Sequence, residues 1–231
     1  MSVVLARLLC AAALGLALLG VVSAQVAPSA AQVARFDALH AAAHTGDLVS
    51  LERMLAARPD VNGRDPQGRT ALHVAAFARQ REAIRLLVRA AADLGALEGD
   101  RYDAVTIAAV ADDEETLRVL LTLGASARLV TSRYDGTALI AAAHLGHDGV
   151  VRQLIQAGAP LDHVNNLHWT ALIESIVLGD DGARHVATLR ALVAAGASTA
   201  LADREGRTPL ALARSRGSAE MVAILVGAGA K

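Results

Sequence analysis

The chain repeats one pattern six times, and this internal repeat constrains the fold more than any other feature. Six anchor residues open the units at spacings of 33, 33, 34, 33 and 38 residues: Asp37, Thr70, Asp103, Thr137, Thr170 and Thr208. After each anchor come a small residue, an apolar segment, a turn, a second apolar segment and, in most units, Gly-Ala. A fixed period of roughly 20 to 50 residues indicates a stacked repeat architecture. We therefore expect an elongated stack of similar units.

Both apolar segments of a unit have the spacing of short helices. In the second unit, Ala71, Leu72 and Ala75 fall on one side of an inner helix, and Ile84 and Leu87 on one side of an outer helix. Neither helix can bury its apolar side alone, so each unit needs a neighbour. Aromatic residues make up only 2 % of the chain. The core is therefore predicted to consist of Ala, Leu and Val between closely stacked helices.

The opening of the second unit, Thr70–Ala76, reads Thr-Ala-Leu-His-Val-Ala-Ala, and that of the last unit begins Thr208-Pro209-Leu210. These openings resemble the T-P-L-H-x-A signature of the ankyrin repeat, whose period is about 33 residues. The resemblance covers residues 36–231. It implies an all-α fold, an ankyrin-repeat α-solenoid of six stacked helix-turn-helix repeats with β-hairpin fingers. The repeats would occupy about 36–68, 69–101, 102–135, 136–168, 169–206 and 207–231.

Several turns can be placed from the sequence. Gly124, Gly158 and Gly196 fall just past outer helices, where a left-handed cap is favoured. Asn62-Gly63 is predicted to supply the positive φ angles of a tight hairpin between repeats. The fifth repeat has about five extra residues, Asp181–His185, between its helices. In a solenoid such insertions emerge as loops on one face and are often binding features.

The first 24 residues have the three parts of a secretory signal. Arg7 lies in a short n-region, an uncharged apolar stretch runs over 8–22, and small residues precede a predicted cleavage site before Gln25. The apolar stretch is shorter than the roughly 20 residues that span a bilayer. We expect a periplasmic or secreted protein that is free of the membrane after cleavage. The alternative is a membrane anchor formed by an uncleaved signal. Residues 25–35 would form a short linker or N-terminal cap.

Charge and cysteine content exclude two classes of function. The chain has 22 Lys and Arg against 23 Asp and Glu, a formal charge of −1. Nucleic-acid binders normally carry a basic face that collects phosphates, so no nucleic-acid partner is expected. The single cysteine, Cys10, lies within the predicted signal. Thiol chemistry is therefore excluded after cleavage.

Eight histidines raise the question of a metal site. His144 and His147 have helical spacing, but no carboxylate completes a zinc-like set with them. By the ankyrin resemblance, His40 and His73 fall on the histidine of the T-P-L-H opening, whose ring bonds neighbouring backbone, and His147 falls on the Gly-His turn. The acidic run 112–115 starts an outer helix, where capping explains it. No catalytic or phosphate-binding motif is present. We expect no enzyme, metal or cofactor.

The ankyrin resemblance implies that a protein partner binds the finger tips and the concave face of the inner helices. Aromatic and arginine side chains dominate binding hot spots, and a contiguous apolar strip marks a contact surface. An alternative is that these side chains fill gaps between fingers and assist stacking. The candidate partner-binding residues are Phe77, Tyr102, Val110, Arg133, Tyr134, Leu145, Leu167, Trp169 and Arg207, with Val177 extending the strip of Phe77, Val110 and Leu145.

Together these features predict a non-enzymatic protein–protein interaction module of the bacterial envelope, monomeric in solution. The chain is similar to signal-bearing ankyrin proteins of proteobacteria. That similarity suggests two more specific alternatives: an immunity-type inhibitor of an envelope hydrolase, or an accessory factor in peroxide defence. Both would use the same surface, and the sequence does not choose between them.

Overall fold

The structure is a computed structural model, and it describes residues 27–231. The predicted signal, residues 1–24, lies outside the described residues.

Thirteen helices and two short strands form the described chain. A one-turn helix, α1 (Ala30–Val33), leads into six helix pairs. The inner helices are α2 (Ala38–Thr45), α4 (Ala71–Phe77), α6 (Ala104–Val110), α8 (Ala138–His144), α10 (Ala171–Val177) and α12 (Pro209–Arg216). The outer helices are α3 (Leu48–Ala56), α5 (Arg81–Arg89), α7 (Glu114–Thr122), α9 (Asp148–Gln156), α11 (Ala183–Ala194) and α13 (Ala219–Gly227). The strands are β1 (Val130–Thr131) and β2 (Gly136–Thr137).

The six anchors act as the N-caps of the six inner helices. Asp37, Thr137 and Thr170, for example, each accept a hydrogen bond from the backbone N–H three residues further on. Ser, Thr, Asp and Asn are favoured at this position because their side-chain oxygen satisfies a free N–H of the first turn. The repeat therefore marks where each inner helix begins.

Each inner helix packs against the next inner helix, and each outer helix against the next outer helix. Leu72, Ile107 and Leu139 from inner helices are fully buried, as are Ile84 and Leu117 from outer helices. One continuous core runs through all six repeats and is built almost wholly from aliphatic side chains. The predicted all-α solenoid is confirmed.

The turn predictions had mixed outcomes. Gly124, Gly158 and Gly196 have φ angles of 97°, 78° and 91°, so the left-handed caps are confirmed. The prediction for Asn62-Gly63 is wrong, because neither residue has a positive φ. The side chain of Asn62 instead accepts a hydrogen bond from the backbone N–H of Asp93 at 2.8 Å and so links two repeats. The connection is a longer finger that turns at Gly68, where φ is 75°.

The insertion in the fifth repeat forms less of a loop than the sequence predicted. Only 179–182 are irregular, and the following residues extend α11 to 12 residues, against 9 in the other outer helices. Arg184 in the extra turn reaches back to Asp112 at 2.8 Å and Asp148 at 3.3 Å. Nε2–H of His185 donates to the carbonyl of His144 at 3.0 Å. The insertion therefore ties the third, fourth and fifth repeats together.

Candidate functional site

Five fingers connect the repeats, and one side-chain oxygen at the base of each finger fixes its loop. In every finger this oxygen accepts hydrogen bonds from the backbone N–H groups two and four residues further along. The base residues are Asp65, Glu98, Ser132, Asn165 and Asp203. Only the third finger, which is one residue longer, also has a β ladder, in which Val130 pairs with Thr137. The predicted β-hairpin character is thus limited to one finger of the described chain.

Neighbouring fingers are joined by backbone hydrogen bonds. Gly99 N–H donates to the Gln67 carbonyl at 2.9 Å, and Ser132 N–H donates to the Arg101 carbonyl at 3.0 Å. Asn166 N–H donates to the carbonyl of Tyr134 at 2.9 Å. The first four fingers therefore form a continuous, ordered edge, which we call the finger row. A partner that binds a pre-ordered edge avoids the entropy cost of ordering separate loops.

The two arginines predicted as binding residues are exposed and ion-paired. Arg133 pairs with Asp100 of the preceding finger. Arg207 pairs with Asp203 at 2.7 Å and Glu205 at 3.1 Å. Exposed ion pairs contribute little to stability, typically about 0–1 kcal/mol. Arg133 can therefore exchange Asp100 for a partner's acceptor at small cost, whereas Arg207 also holds the buried carboxylate of Asp203, for which losing this partner would be costly.

A second row of side chains lies where the inner helices end. The row, which we call the helix-end band, consists of Phe77, Val110, Leu145, Val177 and Leu178. Leu145 is 39 % exposed and Leu178 is 38 % exposed. The other three are half-buried. Because α4, α6, α8 and α10 pack in succession, these side chains lie in one row across four repeats, with His144 in α8 at the position of Phe77, Val110 and Val177.

The aromatic candidates are less exposed than the sequence predicted. Phe77, Tyr102 and Trp169 are half-buried and pack against the core, and Tyr134 is half-buried as well. Burial has the largest effect on the Tyr102 phenol and raises its pKa. By contrast, Leu167 at the tip of the fourth finger is 39 % exposed. The aromatic rings therefore contribute to stacking, while the leucines are the most exposed apolar side chains among the candidate residues.

A buried polar cluster connects the finger row to the helix-end band. Glu174 in α10 is only 5 % exposed. One of its carboxylate oxygens accepts from the Asn165 side-chain amide at 2.9 Å, and the other lies 3.0 Å from Nδ1 of His144. Asn165 is the base residue of the fourth finger, and His144 ends α8 next to Leu145. The cluster thus fixes finger, inner helix and band relative to one another.

Sequence reasoning missed Glu174. The signal was present: four residues after the anchor, the other repeats carry Ala41, Val74, Ile107, Ala141 and Leu212. A carboxylate at this apolar position needs hydrogen-bond partners when it is buried. A departure from the repeat at one buried position therefore marks a specialised contact.

The histidines of the repeat openings bond neighbouring backbone, as the resemblance implied. Nε2 of His40 lies 3.0 Å from the Arg69 carbonyl. Nδ1 of His73 accepts from Thr70 N–H at 3.1 Å, so its Nε2–H donates to the Ala96 carbonyl at 2.9 Å. Burial lowers the pKa of His73 from 6.5 to about 4. His147 lies 2.9 Å from the Ala109 carbonyl through Nδ1. These histidines hold adjacent repeats together.

The acidic run at the start of α7 has the predicted capping role. Asp113 is the N-cap, and its carboxylate accepts from the backbone N–H and the hydroxyl of Thr116 at 3.1 and 2.6 Å. Across residues 27–231, no three His, Cys, Asp or Glu side chains are grouped in a way that could hold a metal ion. Among the helices of the same residues, none has the length and apolar character to cross a membrane.

The fold and this face define a class of protein: a solenoid of stacked helical hairpins that presents one ordered row of fingers. The family model of ankyrin repeats (three copies) matches residues 8–98 and 105–184. The chain belongs to the ankyrin repeat family. Ankyrin repeats are generally protein–protein interaction modules, and the fold is typically non-enzymatic.

Two bacterial proteins are similar to the chain. An ankyrin repeat domain of Acinetobacter baumannii AYE is 41 % identical with a TM-score of 0.79, covering 84 % of this chain and 98 % of that one. The ankyrin repeat protein YahD of Escherichia coli (strain K12) is 39 % identical over 100 residues, 43 % of this chain. The match spans half the length of that curated relative.

A human protein shows the same fold at greater distance. The ankyrin repeat domain of human ASB11 has a TM-score of 0.68 at 22 % identity, covering 85 % of each chain. At this identity the likeness concerns the fold alone.

Proposed function

We propose that the protein is a non-enzymatic interaction module that docks a protein partner on the finger row and the helix-end band. The helix-end band carries this proposal. Five apolar side chains lie at half-buried or exposed positions at the ends of four successive inner helices, one short helix length from the pre-ordered row of fingers. Contiguous exposed apolar surface on a soluble protein marks a contact surface. A standard interface needs about 800 Å² from each partner, a size that four repeats can supply.

The arrangement of polar groups supports binding over catalysis. Among residues 27–231 one cluster joins a histidine to a buried carboxylate, His144 with Glu174, and the Asn165 amide completes it. Within the described part of the chain, no Ser, Thr or Cys side chain bonds His144. Nucleophilic catalysis needs a nucleophile within hydrogen-bond reach of its base. We therefore assign the cluster a positioning role within the docking face, by which we mean the finger row together with the helix-end band.

The envelope location in this proposal depends on residues 1–24. Their basic n-region, apolar stretch and small residues before Gln25 are typical of a cleaved signal. The intact mass of the exported protein should match that of a chain that begins at Gln25. Full-length protein recovered from membranes would instead indicate the uncleaved anchor and replace the periplasmic assignment.

The docking face is tested by the double substitution Leu145→Ser and Leu178→Ser. We expect this variant to lose the partner in affinity capture from a periplasmic extract, because it removes the most exposed side chains of the helix-end band. Truncation at a binding hot spot typically costs about 2 kcal/mol or more. The melting temperature should change little, since both side chains are more than a third exposed.

Val49→Ser is the matched control, because Val49 is 79 % exposed on α3, an outer helix. It should retain the partner fully. Equal recovery by the wild type and the Leu145/Leu178 variant would contradict the proposed face. The activity of the captured partner, with and without the protein, would separate an inhibitor of an envelope hydrolase from an accessory factor in peroxide defence.

A further inference from the structure

The residue just before the anchor is aromatic or arginine in every repeat except the fourth. This row, which we call the pre-anchor row, consists of Phe36, Arg69, Tyr102, Gly136, Trp169 and Arg207. Because the anchors cap inner helices that pack in succession, the row runs along the stack with one member per repeat. Five members present a flat ring or a flat guanidinium group. The fourth repeat has no side chain at this position.

The first two members of the pre-anchor row stack on each other. The guanidinium carbon of Arg69 lies 5.5 Å from the centre of the Phe36 ring. Arg69 is buried, and its Nε donates to the Asp65 carboxylate at 2.7 Å. An arginine over an aromatic face is attracted by the ring, and more strongly where water is excluded. A guanidinium group beside an aromatic ring of the next repeat therefore fits the spacing of this row.

The backbone does not require a glycine in the fourth repeat. Gly136 is buried in the short strand β2 and has no positive φ. A Cβ atom at this position would have its nearest neighbours, Ser132 Oγ and the Ile140 side chain, at 3.4 Å and beyond. These are ordinary contacts, and neither the Tyr102 ring nor the Trp169 ring is among them. The missing side chain therefore leaves a space in the row, which we call the gap.

Tyr102 and Trp169 are the members of the row on the two sides of the gap. Both side chains are half-buried, so each packs against the core and keeps part of its surface free. Backbone hydrogen bonds join the third finger to the fingers before and after it, which fixes the spacing of the two side chains. Among the described residues the stacked aromatic pairs are those of Phe36 with His40 and His44. The Tyr102 and Trp169 rings therefore do not close the gap by stacking on each other.

The finger surface beside the gap has more carboxylates than arginines. The second and third fingers carry Glu98, Asp100 and Asp135 against Arg101 and Arg133. Asp100 and Asp135 are paired with these arginines. Glu98 instead accepts from backbone N–H groups, including that of Tyr102 at 3.1 Å, and forms no ion pair within the described chain. Burial is the main cause of the raised pKa of the Tyr102 phenol. Asp100 and Glu98 raise this pKa further, against the effect of Arg133, so both carboxylates act on that side of the gap.

We propose that the gap binds an arginine side chain of the docked protein, with its guanidinium group above Gly136 and between the Tyr102 and Trp169 rings. This inference rests on the proposed function, because the arginine belongs to the docked partner. A guanidinium group is planar and stacks on aromatic faces, whereas an ammonium group is compact and strongly hydrated. The partner's arginine completes the row in the fourth repeat, as Arg69 does beside Phe36. The negative finger surface favours its charge.

The fluorescence of Trp169 tests the gap without the partner, because Trp169 is the only tryptophan of the chain. The probe is Nα-acetyl-arginine amide, titrated at constant ionic strength into the chain from Gln25 to Lys231. We expect a saturable change in emission with half-saturation below about 20 mM, as for a weak contact of a single group. Nα-acetyl-citrulline amide, which has nearly the same shape without the charge, should give no saturable change. No response to the arginine probe, or an equal response to the citrulline or lysine analogue, would overturn the proposal.

Substitutions at position 136 test whether the partner uses the gap. Gly136→Arg fills the gap from within the chain, and Gly136→Ala, whose methyl group makes only ordinary contacts, is the matched control. We expect Gly136→Arg to lose the response to the arginine probe and to recover about tenfold less partner in affinity capture. Gly136→Ala should behave like the wild type in both measurements. Equal recovery of the partner by the two variants would contradict a role of the gap in docking.

The gap and the helix-end band can fail independently. The band lies at the C-terminal ends of the inner helices, whereas the gap lies before the N-terminal end of α8. The Leu145/Leu178 double variant should therefore lose the partner and keep the response to the arginine probe. If it loses both, the response of Trp169 does not come from the gap and the arginine site is wrong. A wild type that docks its partner through the band but does not respond to the probe would overturn the arginine site alone.

Discussion

Lowering the pH from 6.5 to 4 should reduce the free energy of unfolding by about 3 kcal/mol through His73 alone. Burial lowers the pKa of His73 from 6.5 to about 4 in the folded protein. Between these pH values the unfolded chain binds a proton at His73 and the folded chain does not. The contribution is therefore fully present above pH 6.5 and is lost as the pH falls toward 4. Urea unfolding at several pH values measures it.

The non-titrating variant His73→Gln is the control for this prediction. Its amide can still donate to the Ala96 carbonyl but cannot take up a proton in this range. We expect it to be less stable than the wild type at pH 7 and to show a shallower decline below pH 6.5. If the decline is as steep in the variant as in the wild type, His73 is not its source.

The carboxylates whose pKa is lowered act below this pH window. Burial would raise the pKa of Asp113 and Asp203, but hydrogen bonds, from Thr116 to Asp113 and from Arg207 to Asp203, outweigh burial and lower both values. Their stabilisation is present above the ordinary value of 3.8 and is lost below it. Burial raises the pKa of Asp103, so this group works in the opposite direction and gains stability as the pH falls. The comparison with His73→Gln therefore separates the contribution of the histidine from the opposite contribution of Asp103.

The substitution Gly179→Ala should destabilise the protein by about 2–3 kcal/mol, the upper part of the range for overpacking. A Cβ atom at position 179 would lie 2.4 Å from the Ser175 carbonyl oxygen and 3.1 Å from the His185 ring. Neither neighbour can move freely, because Ser175 belongs to α10 and His185 bonds the carbonyl of His144. The predicted loss tests whether the inserted segment ties three repeats together. Thermal and urea unfolding measure it.

Gly95→Ala is the matched control for Gly179→Ala. Its added methyl group would have its nearest neighbour at 3.5 Å, an ordinary contact, and Gly95 has no positive φ. We expect a change within about 0.5 kcal/mol, as for most surface substitutions. Equal stability of the two variants would mean that the close packing around His185 adds nothing to the stack.

Much of the fold could be predicted from the sequence because every repeat has the same local signals for where its helices begin and end. The anchors are N-caps, and the glycines at 124, 158 and 196 have the left-handed conformation that the sequence predicted. Fingers were harder to predict. Their closure needs only a side-chain oxygen at the base, which Asp65, Ser132 or Asn165 supplies equally well, so no residue type marks the position.

The candidate site was predicted in outline but not in its detailed exposure. Leu145 and Leu167 are exposed as expected, whereas Tyr102 and Trp169 pack against the core. A large ring one residue before an anchor can contact the neighbouring repeat. Whether it does so depends on the distance between the repeats, which cannot be read from the sequence. Glu174 was missed because its partners come from a different helix and a finger. Hydrogen bonds between side chains of different repeats leave no recognisable pattern over a short stretch of sequence.

Site-specific photo-crosslinking in the living source cells tests the central claim most directly. A benzoylphenylalanine in place of Leu178 reports what touches the helix-end band, and the same residue in place of Val49 reports contacts of an exposed outer helix. We predict one discrete heavier product at position 178, composed of this chain and a second, different protein, and none at position 49. A product at position 49 without one at 178, or no product at 178, would contradict docking on the helix-end band.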